Sequence, residues 1–170
     1  KLATTLEEIL AGQMQTPNFP VTMERMKSNL KFNNIAVGET IQVGKDVQVQ
    51  TIKLNHPGGS IAYRVTYQDR VVVYSTDHEH SDQKIHRLFN EACAGSDVLI
   101  YDATYTDQEY YGENGVSPRK GFGHSTWQEA AKFAKTAAVK KLILFHHDPS
   151  HKDSTMSEIE GLCKQGFKNT

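Results

Sequence analysis

The chain has 170 residues, 38% of them hydrophobic and 23% charged, with a net charge of −1; this is the ordinary composition of a globular domain with a real core. No apolar run approaches the ~18 residues of a membrane-spanning helix, and no basic stripe gives a strong nucleic-acid signature. The first residues lack a charged-then-apolar leader pattern and the chain does not begin with Met, so its first residue need not be the gene's start. Two cysteines do not make a disulfide framework, and a reducing cytoplasmic location is the expectation.

In chain order, Thr4 or Thr5 followed by Glu7 and Glu8 predicts a capped helix start, with Leu6, Ile9 and Leu10 on one face and Pro17 and Pro20 beyond its end. A short helix near Thr22–Lys27 follows. From Leu30 to Tyr74 the pattern becomes strand-like. Ile35–Val37, Thr40–Val43, Val47–Leu54, Ile61–Tyr67 and Arg70–Tyr74 read as strands, the last two joined by a turn at Gln68-Asp69. Helical spacing then runs from about Ser81 to Ala94, a buried strand covers Asp97–Tyr101, and Ser125-Thr126 opens a helix carrying Ala130, Phe133, Ala134 and Ala137. Lys140–Phe145 is another buried strand and Ser157–Phe167 a last helix. Antiparallel strands followed by alternating helix and strand predict an α/β domain with helices stacked on a sheet. With no internal repeat or linker, residues 1–170 read as one domain.

Polar, metal-competent residues follow the apolar strands: Leu54-Asn-His56, Thr76-Asp77-His78-Glu79-His80, Ile100-Tyr-Asp102 and Phe145-His146-His147-Asp148; His124 stands in the loop before a helix. Strand ends on one edge of a sheet are where α/β proteins build sites, and a buried strand gives its terminal side chain a rigid support. Imidazole and carboxylate suit zinc, and a carboxylate can bridge two ions. A pair of ions can polarise a phosphoryl or carbonyl oxygen and lower the pKa of a bridging water. Each residue also has a plainer reading. A single histidine after a strand is more often a cap or a surface group, and Asp77 or Asp102 would each suit a turn. The combination is stronger than any member.

The strings Asn55-His-Pro-Gly-Gly-Ser-Ile-Ala-Tyr-Arg, Val73-Tyr-Ser-Thr-Asp, Asp97-Val-Leu-Ile-Tyr-Asp-Ala-Thr-Tyr, Gly123-His-Ser-Thr and Leu142-Ile-Leu-Phe-His-His-Asp-Pro occur in this order. Together they resemble the metallo-β-lactamase superfamily, in the branch containing ribonuclease Z and phosphodiesterase-like hydrolases. The resemblance runs from about Leu6 to Asp153 and implies part of an αββα sandwich. It implies that His56 and His146 are metal ligands and that Asp77 is the bridging aspartate. It also implies that His124 protonates the leaving oxygen while Asp102 orients it. His147 matches no ligand role, and His78, His80, His86 and His151 are expected in loops or at the surface.

The family's His-x-His-x-Asp-His motif does not occur in these residues. The chain is therefore expected to be a partial, C-terminal portion of the domain. It would reach two divalent metals, zinc first and manganese or iron as alternatives, only with the ligands of an N-terminal half. The implied activity is metal-dependent hydrolysis of a small phosphodiester or other ester, with no membrane partner. Exposed strand edges would be covered by a complementing N-terminal segment or by another copy in a homo-oligomer. Two rivals share the fold: a non-catalytic remnant or interaction module, and a diiron redox relative.

Overall fold

The structure is a computed structural model and describes residues 5–170; Thr4 lies outside them. The chain divides into two compact units, Lys1–Ala36 and Val37–Thr170.

In the first unit, α1 (Leu6–Gln13) begins at a capping box. The Thr5 hydroxyl accepts from the Glu8 backbone N–H while the Glu8 carboxylate accepts from the Thr5 N–H, so two otherwise free donors are satisfied. A single 3-10 turn follows at Met23–Arg25.

The second unit is a six-stranded sheet in sequence order: β1 (Thr40–Val43), β2 (Val47–Leu54), β3 (Ser60–Tyr67), β4 (Arg70–Ser75), β5 (Val98–Asp102) and β6 (Leu142–Phe145). Pairing is antiparallel from β1 to β4 and parallel from β4 to β6. The parallel strands need crossovers. These are α2 (Gln83–Cys93) before β5, and α3 (Asp107–Tyr111) with α4 (Trp127–Thr136) before β6; α5 (Asp153–Gly166) closes the chain. Each helix from α2 to α4 starts at a side-chain cap, Asp82, Thr106 or Thr126.

Leu54, Ala62, Val73, Leu99, Tyr101 and Leu142 form one core with Phe89 and Cys93 of α2, Phe133 and Ala134 of α4, and Cys163 of α5. The Phe133 ring lies 4.9 Å from Phe89 and 5.0 Å from Tyr101, centroid to centroid. The residues that alternate with these on the central strands point to the opposite face, where Val72, Tyr74, Ile143 and Phe145 are exposed. Strands that read as continuously apolar are thus buried on one side only.

The mixed α/β class, with antiparallel strands followed by alternating helix and strand, agrees with the sequence expectation, and the later strands pair in parallel. Ile35–Val37 is not a strand; this stretch is irregular, and pairing with β2 is seen at Gly38, which donates to the Thr51 carbonyl, and at Glu39, whose carbonyl accepts from the Thr51 N–H. The last helix starts at Asp153 rather than Ser157, because it has no side-chain cap to mark its beginning. No helix among the described residues is long and apolar enough to cross a membrane.

Candidate metal and proton-transfer site

β2, β4, β5 and β6 run in one direction, so their carboxyl ends share an edge. His56 follows β2, Asp77 follows β4, Asp102 ends β5 and His146 follows β6. His124 arrives from the loop before α4, drawn to the same edge by a parallel bridge between Tyr105 and Thr126. The five predicted residues therefore form one cluster.

The Nε2 atoms of His56 and His146 each lie 3.9 Å from Asp77 Oδ1. The donor atoms of His56, Asp77 and His124 fall within 4.8 Å of one another, as do those of Asp102, His124 and His146. Both Asp77 and His146 occupy the left-handed backbone region, with φ of 58° and 61°. This is uncommon outside glycine and tends to accompany sites.

Asp102 has no exposure. Its Oδ1 accepts from the Thr104 and Ser125 backbone N–H groups at 3.2 and 3.1 Å. Its Oδ2 accepts from the Asp77 and His78 N–H groups at 2.9 and 3.3 Å. Burial alone would raise its pKa, but the bonds from His124, Ser125 and Thr104 outweigh burial and hold the carboxyl below its usual range. An ionised carboxylate only accepts, so the His124 Nδ1 atom at 2.9 Å carries a proton. That bond raises the His124 pKa above its ordinary value, against the opposing effect of burial. Nε2 of His124 is left free to give a proton to a bound molecule.

The Thr104 hydroxyl lies 2.9 Å from Asp102 Oδ1, 2.6 Å from the His146 carbonyl and 3.1 Å from His146 Nδ1. A proton on Nδ1 directed at this hydroxyl frees Nε2 of His146 as a ligand. His56 Nδ1 accepts from the Gly58 N–H at 3.1 Å. A ring that binds metal through Nε2 carries its proton on Nδ1, so loading would release this bond. Two imidazole nitrogens around a carboxylate oxygen are a donor set that zinc accepts.

The tract after Asp77 is not the solvated loop expected. His78, Glu79 and His80 are all buried, and the His151 side chain is only 6% exposed. His78 packs edge-on against Phe89 and Tyr101, and His86 stacks on it. Desolvation pushes the His78 pKa down to about 3, so its ring is neutral. His80 Nδ1 meets Ser125 Oγ at 2.8 Å, and His151 Nε2 meets Glu109 Oε1 at 2.9 Å. His147 Nε2 lies 3.2 Å from the Leu144 carbonyl. The buried Glu79 carboxylate accepts from the Tyr110 hydroxyl at 2.6 Å and from the Gly121 and Gly123 N–H groups at 2.9 and 3.1 Å. The sequence places Glu79 inside a metal-competent, histidine-rich tract at a strand end but assigns it no role of its own.

The profile of the Beta-lactamase superfamily domain matches residues 8–147. The chain belongs to this superfamily. Its relatives place it in the ribonuclease Z-like branch. Ribonuclease Z of Brevibacillus brevis is 37% identical over 105 residues, which are 59% of this chain and 30% of that protein. Ribonuclease Z of Exiguobacterium sibiricum is 27% identical over 186 residues, covering 96% of this chain and 58% of that protein. This superfamily member thus spans between 30% and 58% of the length of these two relatives. The metallo-beta-lactamase fold protein YhfI from Bacillus subtilis shares the fold with a TM-score of 0.65, at 21% identity over 82% of this chain and 51% of that one. Human tRNase Z, short form, aligns with a TM-score of 0.51 and 26% identity over 65% of this chain and 39% of that one.

Proposed function

We propose that this superfamily member is a metal-dependent phosphodiesterase-like hydrolase whose activity needs further ligands from an N-terminal part of the same domain. Residues 1–170 are then the C-terminal portion of that domain, in a cytoplasmic protein. The observation that carries this reading is the Nε2 pair of His56 and His146 converging on one Asp77 oxygen. These residues would hold the metal, zinc being the first choice. Bound metal would supply charge stabilisation and an activated water. Asp102 fixes the tautomer and orientation of His124 through the 2.9 Å bond. The imidazolium of His124 gives its Nε2 proton to the leaving oxygen. A phosphodiester is favoured because ribonucleases are among the relatives. The charge balance of −1 favours a small nucleotide or ester over a long RNA.

A complementing N-terminal segment would also cover the exposed Val72, Tyr74, Ile143 and Phe145. Against the reading of a non-catalytic remnant, Asp102 carries no weight, whereas Asp77 and His146 do. Asp102 has a folding role, since four backbone N–H groups depend on it, so its presence does not argue for catalysis. Asp77 and His146 have no comparable role and sit in a costly backbone region.

The test is metal analysis with hydrolysis of bis(4-nitrophenyl) phosphate by the full-length protein and its His56→Ala and Asp77→Ala variants. Both variants are expected to lose metal and activity. Unchanged metal content in both would sink the proposal.

A further inference from the structure

We propose that Glu79 is a positioning residue for proton transfer, holding the Gly121–Gly123 loop so that His124 meets Asp102 and the leaving oxygen; this rests on the hydrolase reading.

Glu79 ties the loops of the site together through both its backbone and its side chain. Its N–H donates to the Asn55 carbonyl at 2.8 Å, and its own carbonyl accepts from Asn55 Nδ2 at 2.9 Å. The turn carrying His56 is thereby clipped to the turn carrying Asp77. The side chain crosses to the third loop. Oε1 accepts from the Tyr110 hydroxyl and the Gly121 N–H, and Oε2 accepts from the Gly123 N–H. The Tyr110 carbonyl secures the same loop by accepting from the Arg119 and Lys120 N–H groups at 3.1 and 3.2 Å. The Tyr110 hydroxyl, the Gly121 and Gly123 N–H groups and the Ser81 hydroxyl all act as donors to Glu79, so an ionised carboxylate satisfies them and an amide does not.

Gly123 transmits the placement. A Cβ there would stand 2.2 Å from His56 Cδ2 and 2.7 Å from its Nε2. The loop backbone is thus seated directly on the His56 ring, and its φ of +94° suits glycine. The next residue is His124. Beyond it, the Ser125 N–H donates to Asp102. A shift of this backbone therefore moves the acid relative to both its orienting carboxylate and the neighbouring ligand. Displacements of about 1 Å can cost ~100-fold in rate.

The experiment compares full-length, metal-loaded wild type with Glu79→Gln and Tyr110→Phe on two diesters. Bis(4-nitrophenyl) phosphate has a leaving group that departs without a proton; a dinucleoside monophosphate releases a ribose hydroxyl that needs one. Glu79→Gln keeps the side-chain volume but puts an NH2 against donors. It is expected to lower kcat on the dinucleotide about 10- to 100-fold, with KM within about threefold. The loss on the nitrophenyl diester should be about tenfold smaller, and metal content should be unchanged. Tyr110→Phe leaves the carboxylate on both glycines and should lose less than Glu79→Gln. In parallel, the Gly121 and Gly123 amide protons should move upfield in Glu79→Gln as they lose a charged acceptor. Equal losses on both substrates, loss of metal, an unchanged kcat, or unmoved glycine amides would each overturn the positioning role. A wild type that cleaves neither diester would bring down the hydrolase reading as well, which separates the two failures.

Discussion

Asp77 and Asp102 stand at neighbouring strand ends, yet they sit in opposite kinds of surroundings. Asp102 is completely buried and accepts from four backbone N–H groups, from Thr104 and from His124. The Asp77 side chain is 40% exposed and approaches two histidines only at 3.9 Å. One half of the site is closed by the protein's own hydrogen bonds, and the other has donors facing a common point. A group satisfied within the fold specifies structure, whereas convergent groups without close partners are what an exogenous ion can use.

The same chemical change at the two positions gives the strongest test of this contrast. Asp102→Asn should cost about 3–5 kcal/mol of stability by denaturant unfolding of the metal-free protein, because it leaves buried donors without a charged acceptor. Asp77→Asn should cost less than about 0.5 kcal/mol, asparagine being tolerated in the left-handed region, while removing metal binding. Comparable stability losses would erase the distinction.

A smaller effect probes the boundary between the halves. Gly123→Ala drives a Cβ into the His56 ring and strains a backbone at φ +94°. It should cost about 1–3 kcal/mol and weaken metal binding together, read by thermal unfolding and metal titration. Full stability with unchanged metal binding would mean that the loop moves aside freely.

The smallest effect is a pH dependence of the closed half. The Asp102 pKa is lowered, so its share of stability is present above its ordinary range and is lost as acid drives pH down through the depressed value. The His124 pKa is raised from 6.5, so its share is present below about 6.5 and fades as pH rises through the elevated value. Metal-free wild type should lose melting temperature across that alkaline step, and His124→Asn should flatten it. A step that persists in the variant would assign it to another group.

Much of this was legible in the sequence. The strand ends carrying Asp77, Asp102 and His146 follow short apolar runs, and the one carrying His56 follows an alternating strand; each stops at a polar, metal-competent residue. The buried partners were harder to find. His78 and His80 lie beside Asp77 in a polar tract, and local polarity predicts exposure. Their burial depends on Phe89, Tyr101, Tyr110 and Ser125, which sequence distance hides. Tyr110 belongs to α3, a helix of five residues too short to generate a periodic pattern. Glu79 was missed for the same reason: its donors lie more than thirty residues away in sequence.

The left-handed backbone at Asp77 and His146 bears on how such a chain would change over generations. At each position glycine would relieve the turn, by up to about 1–2 kcal/mol for the histidine, which lacks the local accommodation available to aspartate. Under the proposed function, a lineage released from holding an ion would gain stability by taking glycine at the histidine turn, while asparagine at the aspartate turn would be close to neutral. Under that reading the two turns carry a backbone cost that a bound ion would offset, so glycine at either turn in a relative would mark a site no longer in use.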